Sequence, residues 1–260
     1  SHFGLLPAAL TGVDLTDLLN RTSAAIESLK PAVELAAFMG AGAAQGRDKL
    51  TLLLSPPLAP VGAWIEQLIA ESTGKEGKGI LPIDAEPAVD AVEYGSDRLF
   101  VYIRADAALD ERASALVSAG QPLLQVSLDE VNDLGVAFYY WEFATALAGY
   151  LMDIHPFDQP DVEAAKVLAR DMVQTYQRQG ALPAEEPLTC AGPLSAYGTG
   201  NASSPIEALK DLLEHGGSIE PYIAIQAYLP PDPDTDALLT QLRAVLNQYS
   251  GLATTLGYGP

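Results

Sequence analysis

Arg98-Leu99-Phe100-Val101-Tyr102-Ile103 is a continuous, largely apolar run rich in aromatic and β-branched residues, and it predicts the clearest strand of the chain. Working outward, Leu50-Thr51-Leu52-Leu53-Leu54 reads as a second buried strand, stopped by Ser55-Pro56-Pro57. Ile80 to Ile83 is a short third strand, and Pro122 to Val126 a fourth. Between them, Pro60 opens one helix, and Asp110 to Ala119 forms another that ends at Gly120. Strands alternating with helices at this rhythm predict βαβ units. The fold class is therefore α/β, a three-layer sandwich with a mostly parallel sheet flanked by helices on both faces.

The flanks follow the same logic. Residues 4–46 are helical in character, with Asp14 or Thr16 capping a helix to about Lys30 and Pro31 in the first turn of the next. The segment before Asp97 is acidic and irregular. Asp158 to Gln179 predicts a long helix with Asp158 as its cap and Pro160 in its first turn, and residues 180–204 a surface excursion. Pro205 to His215 is a helix stopped at Gly216-Gly217, Tyr222 to Leu229 a final strand, and Thr235 to Tyr249 a closing helix. The last residues, 251–260, read as a segment cut short. There is no internal repeat and no long linker.

Leu134 to Met152 is almost wholly apolar and at nineteen residues approaches membrane-spanning length. Glu142 in its middle and acidic residues at both ends argue instead for a core helix buried all round, with Glu142 paired or facing a cleft. The chain of 260 residues carries 14 basic and 34 acidic side chains, for a net charge of -20. No basic run offsets that charge, which argues against nucleic-acid and anionic-membrane partners. Cys190 is the only cysteine, so no internal disulfide forms. The start has no positively charged leader, and the chain reads as cytoplasmic.

Several chemistries are excluded by pattern. Gly74-Lys75-Glu76-Gly77-Lys78-Gly79 lacks phosphate-loop spacing and leaves a helix rather than a strand. No G-x-G-x-x-G follows a strand, and no G-x-S-x-G elbow occurs. Three scattered histidines (His2, His155, His215) and one cysteine suggest neither a metal site nor a Cys/His dyad.

Two polar segments remain. In the first, Trp64, Ile65, Leu68 and Ile69 define one buried helix face, which ends at Glu71. Ser72-Thr73-Gly74-Lys75 follows as flexible backbone with free N–H groups. A carboxylate so placed is a candidate general base, and the same pattern also suits an ordinary helix C-terminus. In the second segment, Phe157 to Lys166, Gln159 and Lys166 are seven residues apart on one helix face, roughly 10 Å along the axis at ~1.5 Å per residue. They could grip an oxygen-rich ligand from two points; alternatively, Lys166 is a solvated helix lysine.

Phe157-Asp158-Gln159-Pro160-Asp161-Val162-Glu163-Ala164-Ala165-Lys166 resembles the second signature of the phosphoglucose isomerases, F-D-Q-x-G-V-E-x-x-K. Ala70-Glu71-Ser72-Thr73-Gly74-Lys75 is similar to that family's E-S-x-G-K base loop. Trp141-Glu142 and Asp153-Ile154-His155-Pro156-Phe157-Asp158-Gln159 resemble the family's long core helix and its exit. Phe3 to Leu10, Gly46 to Thr51 and Thr254 to Pro260 resemble the variety fused behind a transaldolase in bacteria. The resemblance covers nearly the whole chain but only the later half of the isomerase.

It implies a sugar isomerase (SIS) fold, with residues 1–260 forming the second SIS subdomain plus a C-terminal strand and helix extension. The reaction implied is interconversion of glucose 6-phosphate and fructose 6-phosphate through a cis-enediolate, with no metal and no cofactor. Glu71 would be the proton-transfer base, and Lys166 would assist ring opening. Gln159, Ser72, Thr73 and Gly74 would contact the hexose 6-phosphate. Partners implied are the missing upstream SIS subdomain, a transaldolase domain and a second copy in a homodimer.

The phosphate-binding Ser/Thr loop belongs to that missing subdomain, and the first-signature arginine would fall just before Ser1. Glu86 to Asp97 contains no histidine for ring opening, and His155 stands where the family more often has Asn and reads as structural. The isolated chain is therefore expected to have little activity. Competing expectations are a non-catalytic sugar-phosphate-binding SIS module and a related isomerase that also accepts mannose 6-phosphate.

Overall fold

The computed structural model describes residues 2–128, 130–158, 160–183, 185–215 and 221–259. Helices α1 (His2–Leu10), α2 (Leu15–Ile26) and α3 (Lys30–Ala44) come first. The alternating part follows: β1 (Lys49–Leu54), α4 (Val61–Thr73), β2 (Leu81–Ile83), β3 (Arg98–Arg104), α5 (Asp110–Ser118), β4 (Leu123–Ser127) and α6 (Leu134–Leu151). Then come α7 (Pro160–Gln179), β5 (Thr189–Ala191), β6 (Leu194–Ala196), α8 (Pro205–His215), β7 (Tyr222–Ala227), α9 (Pro233–Ser250) and β8 (Ala253–Tyr258).

The central sheet has the order β2-β1-β3-β4, and all its pairs are parallel. From β1 the chain crosses through α4 to β2 on one side, then steps over to β3 and crosses through α5 to β4 on the other. Strand alternation divides the core. Leu50 and Leu52 of β1 with Leu99, Val101 and Ile103 of β3 face α3, α4 and α6. Leu53, Phe100 and Tyr102 face α5 and the loop carrying Tyr94. The result is the expected three-layer α/β sandwich. Close packing is visible at Gly42 of α3, where an added Cβ would lie 2.4 Å from Leu99 Cδ1.

Several expectations change at the local level. Asp14, not Thr16, caps α2, accepting from the N–H groups of Thr16 and Asp17. The helix stops at Ile26 rather than near Lys30, because Glu27 and Ser28 close tight turns onto the carbonyls of Ala24 and Ala25. Helix α6 is not buried all round. Trp141, Ala144 and Ala148 are buried, whereas Glu142 is exposed and Tyr150 is 78% exposed. An apolar composition permits burial on every side, but α2, α3 and α4 pack against α6 and still leave Glu142 and Tyr150 uncovered. No helix among the described residues is long and apolar enough to cross a membrane.

The C-terminal segment also differs. Residues 253–258 form β8, and the predicted last strand, β7, pairs with β8 rather than joining the parallel sheet. Gly251 at φ 71 closes α9 in the left-handed conformation and turns the chain back. Within the surface excursion, β5 and β6 form a hairpin around Gly192 at φ 59.

The chain divides into two compact units: residues 1–158 with 223–260, and residues 159–222. The first holds the parallel sheet, and the second holds α7, the hairpin and α8. The expected stop of α8 at Gly216-Gly217 lies outside the described residues.

The acidic loop before β3 is irregular, as expected, yet it contains the anchor of a buried network. Glu86 accepts from both terminal nitrogens of Arg98, at 2.8 and 3.0 Å, and from the Thr254 N–H at 2.9 Å. Arg98 also donates to Thr51 Oγ1 at 2.9 Å, and its guanidinium lies 5.3 Å from the centre of the Tyr94 ring. Arg243 of α9 donates to the carbonyls of Ala85 and Thr254. This set ties α9 and β8 to the β2 side of the sheet.

Candidate functional site

The site begins at the end of α4. Ile65 and Ile69 are fully buried, with Trp64 and Leu68 half-buried beside them. The helix runs two residues beyond Glu71, through Ser72 and Thr73, so Glu71 sits in its last turn with an exposed side chain. The extension has a local cause. Thr73 is fully buried, its hydroxyl donates to the Ile69 carbonyl at 2.8 Å, and it accepts from the Ile80 N–H at 3.0 Å. Ser72 is half-buried and Gly74 exposed.

The loop after Glu71 is not the row of free N–H groups the sequence suggested. Gly74 N–H donates to the Ala70 carbonyl, and the N–H groups of Lys75 and Lys78 bond each other's carbonyls at 3.1 and 2.9 Å. Glu76 and Gly77, at φ 57 and 72, make the two-residue turn between them. Two positive φ values in succession define a type I′ hairpin turn, which is why Gly follows a short polar stretch here.

That turn places Lys75 and Lys78 directly opposite each other, so both side chains leave from the same face. They reach the exit of α6. Lys78 Nζ donates to the carbonyls of Met152 and Asp153 at 2.9 and 3.2 Å. Lys75 Nζ donates to those of His155 and Pro156 at 3.3 and 3.0 Å, and to that of Asp158. The carbonyl of Met152, the cap of α6, lacks a partner within the helix and carries partial negative charge, which Lys78 meets.

The end of α4 is thus joined to residues 152–158, at the exit of α6, by a lysine clasp. A cavity of about 590 Å³ opens beside it, lined by Glu76, Tyr150, Asp153, His155, Pro156 and Phe157 among others. Glu71 does not line it. The His155 side chain is exposed and lies 3.4 Å from the Asp158 carboxylate; its link to the clasp is through its carbonyl. Sequence reasoning missed the clasp, although Lys75 and Lys78 on either side of Glu76-Gly77 were a readable signal.

The remaining candidates fall elsewhere. Gln159 lies outside the described residues. Lys166 is on α7, in the second compact unit, with an exposed side chain. Among the described residues no group of histidine, cysteine, aspartate and glutamate side chains could hold a metal ion. Ser55 closes the crevice between the C-terminal ends of β1 and β3, where open α/β sheets commonly bind ligands. It is fully buried, and its hydroxyl accepts from the N–H groups of Ala105 and Asp106 at 3.0 and 3.2 Å.

A further charge cluster lies along α4. Burial raises the Glu66 carboxyl above its ordinary value, nearby Asp84 adds to this, and Arg243 opposes it. Burial likewise raises Asp84. A raised folded-state value means that stability grows as pH falls through it and levels off at the unfolded value. Glu66→Gln should therefore be more stable than the wild type at neutral pH, with the advantage shrinking as pH falls toward 4.5, the ordinary value. Thermal melts of both proteins across that range test this; a constant difference would remove Glu66 from the account.

The fold defines the class: a three-layer α/β sandwich built on a parallel four-stranded sheet. The chain is similar to the crystal structure of a hypothetical protein from Thermus thermophilus, with a TM-score of 0.54 and 23% identity, covering 65% of this chain and 53% of that one. No family model matches the chain.

Among curated proteins the similarity is to glucose-6-phosphate isomerases. That of Rubrobacter xylanophilus is 28% identical over 228 residues, 69% of this chain and 51% of its own. That of Streptococcus pyogenes is 30% identical over 232 residues, 70% of this chain and 51% of its own. The chain spans about half the length of these relatives.

Proposed function

We propose that this chain is the part of a glucose-6-phosphate isomerase that carries the proton-transfer base. It is the second SIS subdomain of a longer protein, in which the first subdomain supplies the phosphate clamp. Glu71 moves the proton between C1 and C2 through a cis-enediolate. Lys166 assists ring opening, and Gln159, Ser72 and Gly74 contact the hexose 6-phosphate. Thr73, buried as it is, contributes by holding the helix end in place. The reaction requires no metal or cofactor.

The observation that carries this reading is the lysine clasp. It ties the helix end bearing Glu71 to residues 152–158, and both Ala70 to Lys75 and Asp153 to Asp158 lie in stretches that resemble the isomerase. The similarity to isomerases from several bacteria supports the same reading. A cytoplasmic location, fusion to a transaldolase and homodimer formation belong to the same proposal; a related isomerase that also accepts mannose 6-phosphate is a competing reading.

A coupled assay on the 260-residue chain, alone and mixed with the upstream half, is the test. The chain alone should turn over fructose 6-phosphate at background rate, and the mixture should not. Near-normal turnover by the chain alone would overturn the division of labour. Binding of hexose 6-phosphate with no proton exchange in any combination would favour a sugar-phosphate-binding module instead.

A further inference from the structure

We propose that Lys75 is a positioning residue whose ammonium fills a cage of main-chain carbonyls and so sets the chain entering Gln159 relative to the helix end bearing Glu71. This rests on the functional reading above. Lys75 is 6% exposed, and among the described residues its ammonium pairs with no carboxylate. Its partners are the carbonyls of His155, Pro156 and Asp158. An ammonium has three donors, and three acceptors converge on it. Burying a cation is costly unless its bonds are met, and here they are met by backbone alone.

Three carbonyls of one short segment turned toward one point set the negative ends of their dipoles together. Without a cation between them that arrangement is unfavourable, so the ammonium holds the curl of residues 155–158. Asp158 immediately precedes Gln159, and Lys75 lies four residues after Glu71. One cation therefore links the end of α4, which bears Glu71, to residues 155–158. Lys78 is exposed, and among the described residues its ammonium bonds only the carbonyls of Met152 and Asp153, upstream of the curl, so it serves as the control.

The test uses Lys75→Ala, Lys75→Met and Lys78→Met in the protein containing both halves, with and without methylammonium. Lys75→Ala should lower kcat by about 10- to 100-fold and leave KM within about threefold, as expected for misplaced catalytic groups. Methylammonium should restore most of that loss in Lys75→Ala but not in Lys75→Met, whose side chain fills the space. Lys78→Met should stay close to wild type.

A second arm follows hydrogen exchange of the amides from 153 to 158 in the 260-residue chain. Exchange should rise in Lys75→Ala and fall again with methylammonium. Unchanged kcat, or a loss with no rescue and exchange raised evenly across the sheet, would overturn the proposal. If the wild-type protein shows no isomerase activity, the functional reading fails by itself. The exchange arm then decides the cage: rescue supports it, and no rescue overturns it.

Discussion

Glu71→Gln, in a protein containing both halves, is expected to lower proton exchange at C2 of the hexose phosphate by about 10²- to 10⁴-fold, the usual contribution of a general base. Substrate binding should change little, because glutamine keeps the size of the side chain and loses only its basicity. The position suits such a clean test. Glu71 is exposed in the last turn of α4, while Ile65, Ile69 and Thr73 hold that helix to the core. The substitution should therefore leave the melting temperature close to wild type. Solvent deuterium incorporation at C2, followed by NMR, reads the exchange directly, and calorimetric titration reads the binding. Exchange retained within about threefold of wild type would remove Glu71 from the base role.

Arg98→Met is expected to have the largest effect on stability. The Arg98 side chain is 1% exposed and that of Glu86 is 0% exposed, and their bidentate pair lies on the sheet face that α9 and β8 adjoin. Removing the guanidinium leaves a buried carboxylate hydrogen-bonded, among the described residues, by the neutral donors Thr254 and Asn247, with the Arg243 charge nearby as its remaining cation. Breaking one side of such a pair costs about 3–5 kcal/mol. For a chain of this size that corresponds to a fall in Tm on the order of 10 °C. Adding Glu86→Gln to Arg98→Met should recover part of the loss, since the orphaned charge is then gone while an acceptor for the Thr254 N–H remains. Calorimetric melts of the wild type, single and double variants make the comparison. A single variant within about 2 °C of wild type would show that the pair is energetically neutral.

The parallel sheet was legible in the sequence because its strands are short apolar runs closed by Pro and Gly, and each crossover helix carries its own stop signal. Arg98 to Ile103, Leu50 to Leu54 and Pro122 to Val126 could be read without knowing their neighbours, since burial on both faces imposes a local composition. The starts of α3 and α4 were readable for the same reason, since Pro31 and Pro60 act through their own backbone geometry, whereas α9 begins at Pro233, two residues before the Thr235 expected.

Features that depend on what packs against a residue could not be read this way. Glu142 looked buried because its neighbours are apolar, but only the placement of α2, α3 and α4 decides which face of α6 is covered. Glu86 looked like one more acid in a solvated loop, and only the arrival of β8 and Arg98 makes it an anchor. The residues near Glu71 suggested a candidate base and a flexible loop, but not where the two lysines reach. Sequence alone determined the order of the elements from β1 to α6, the fold class and the identity of the polar segments, because these are properties of local composition. The tertiary structure alone decided that Lys75 and Lys78 grip the exit of α6, because those carbonyls lie more than seventy residues away along the chain.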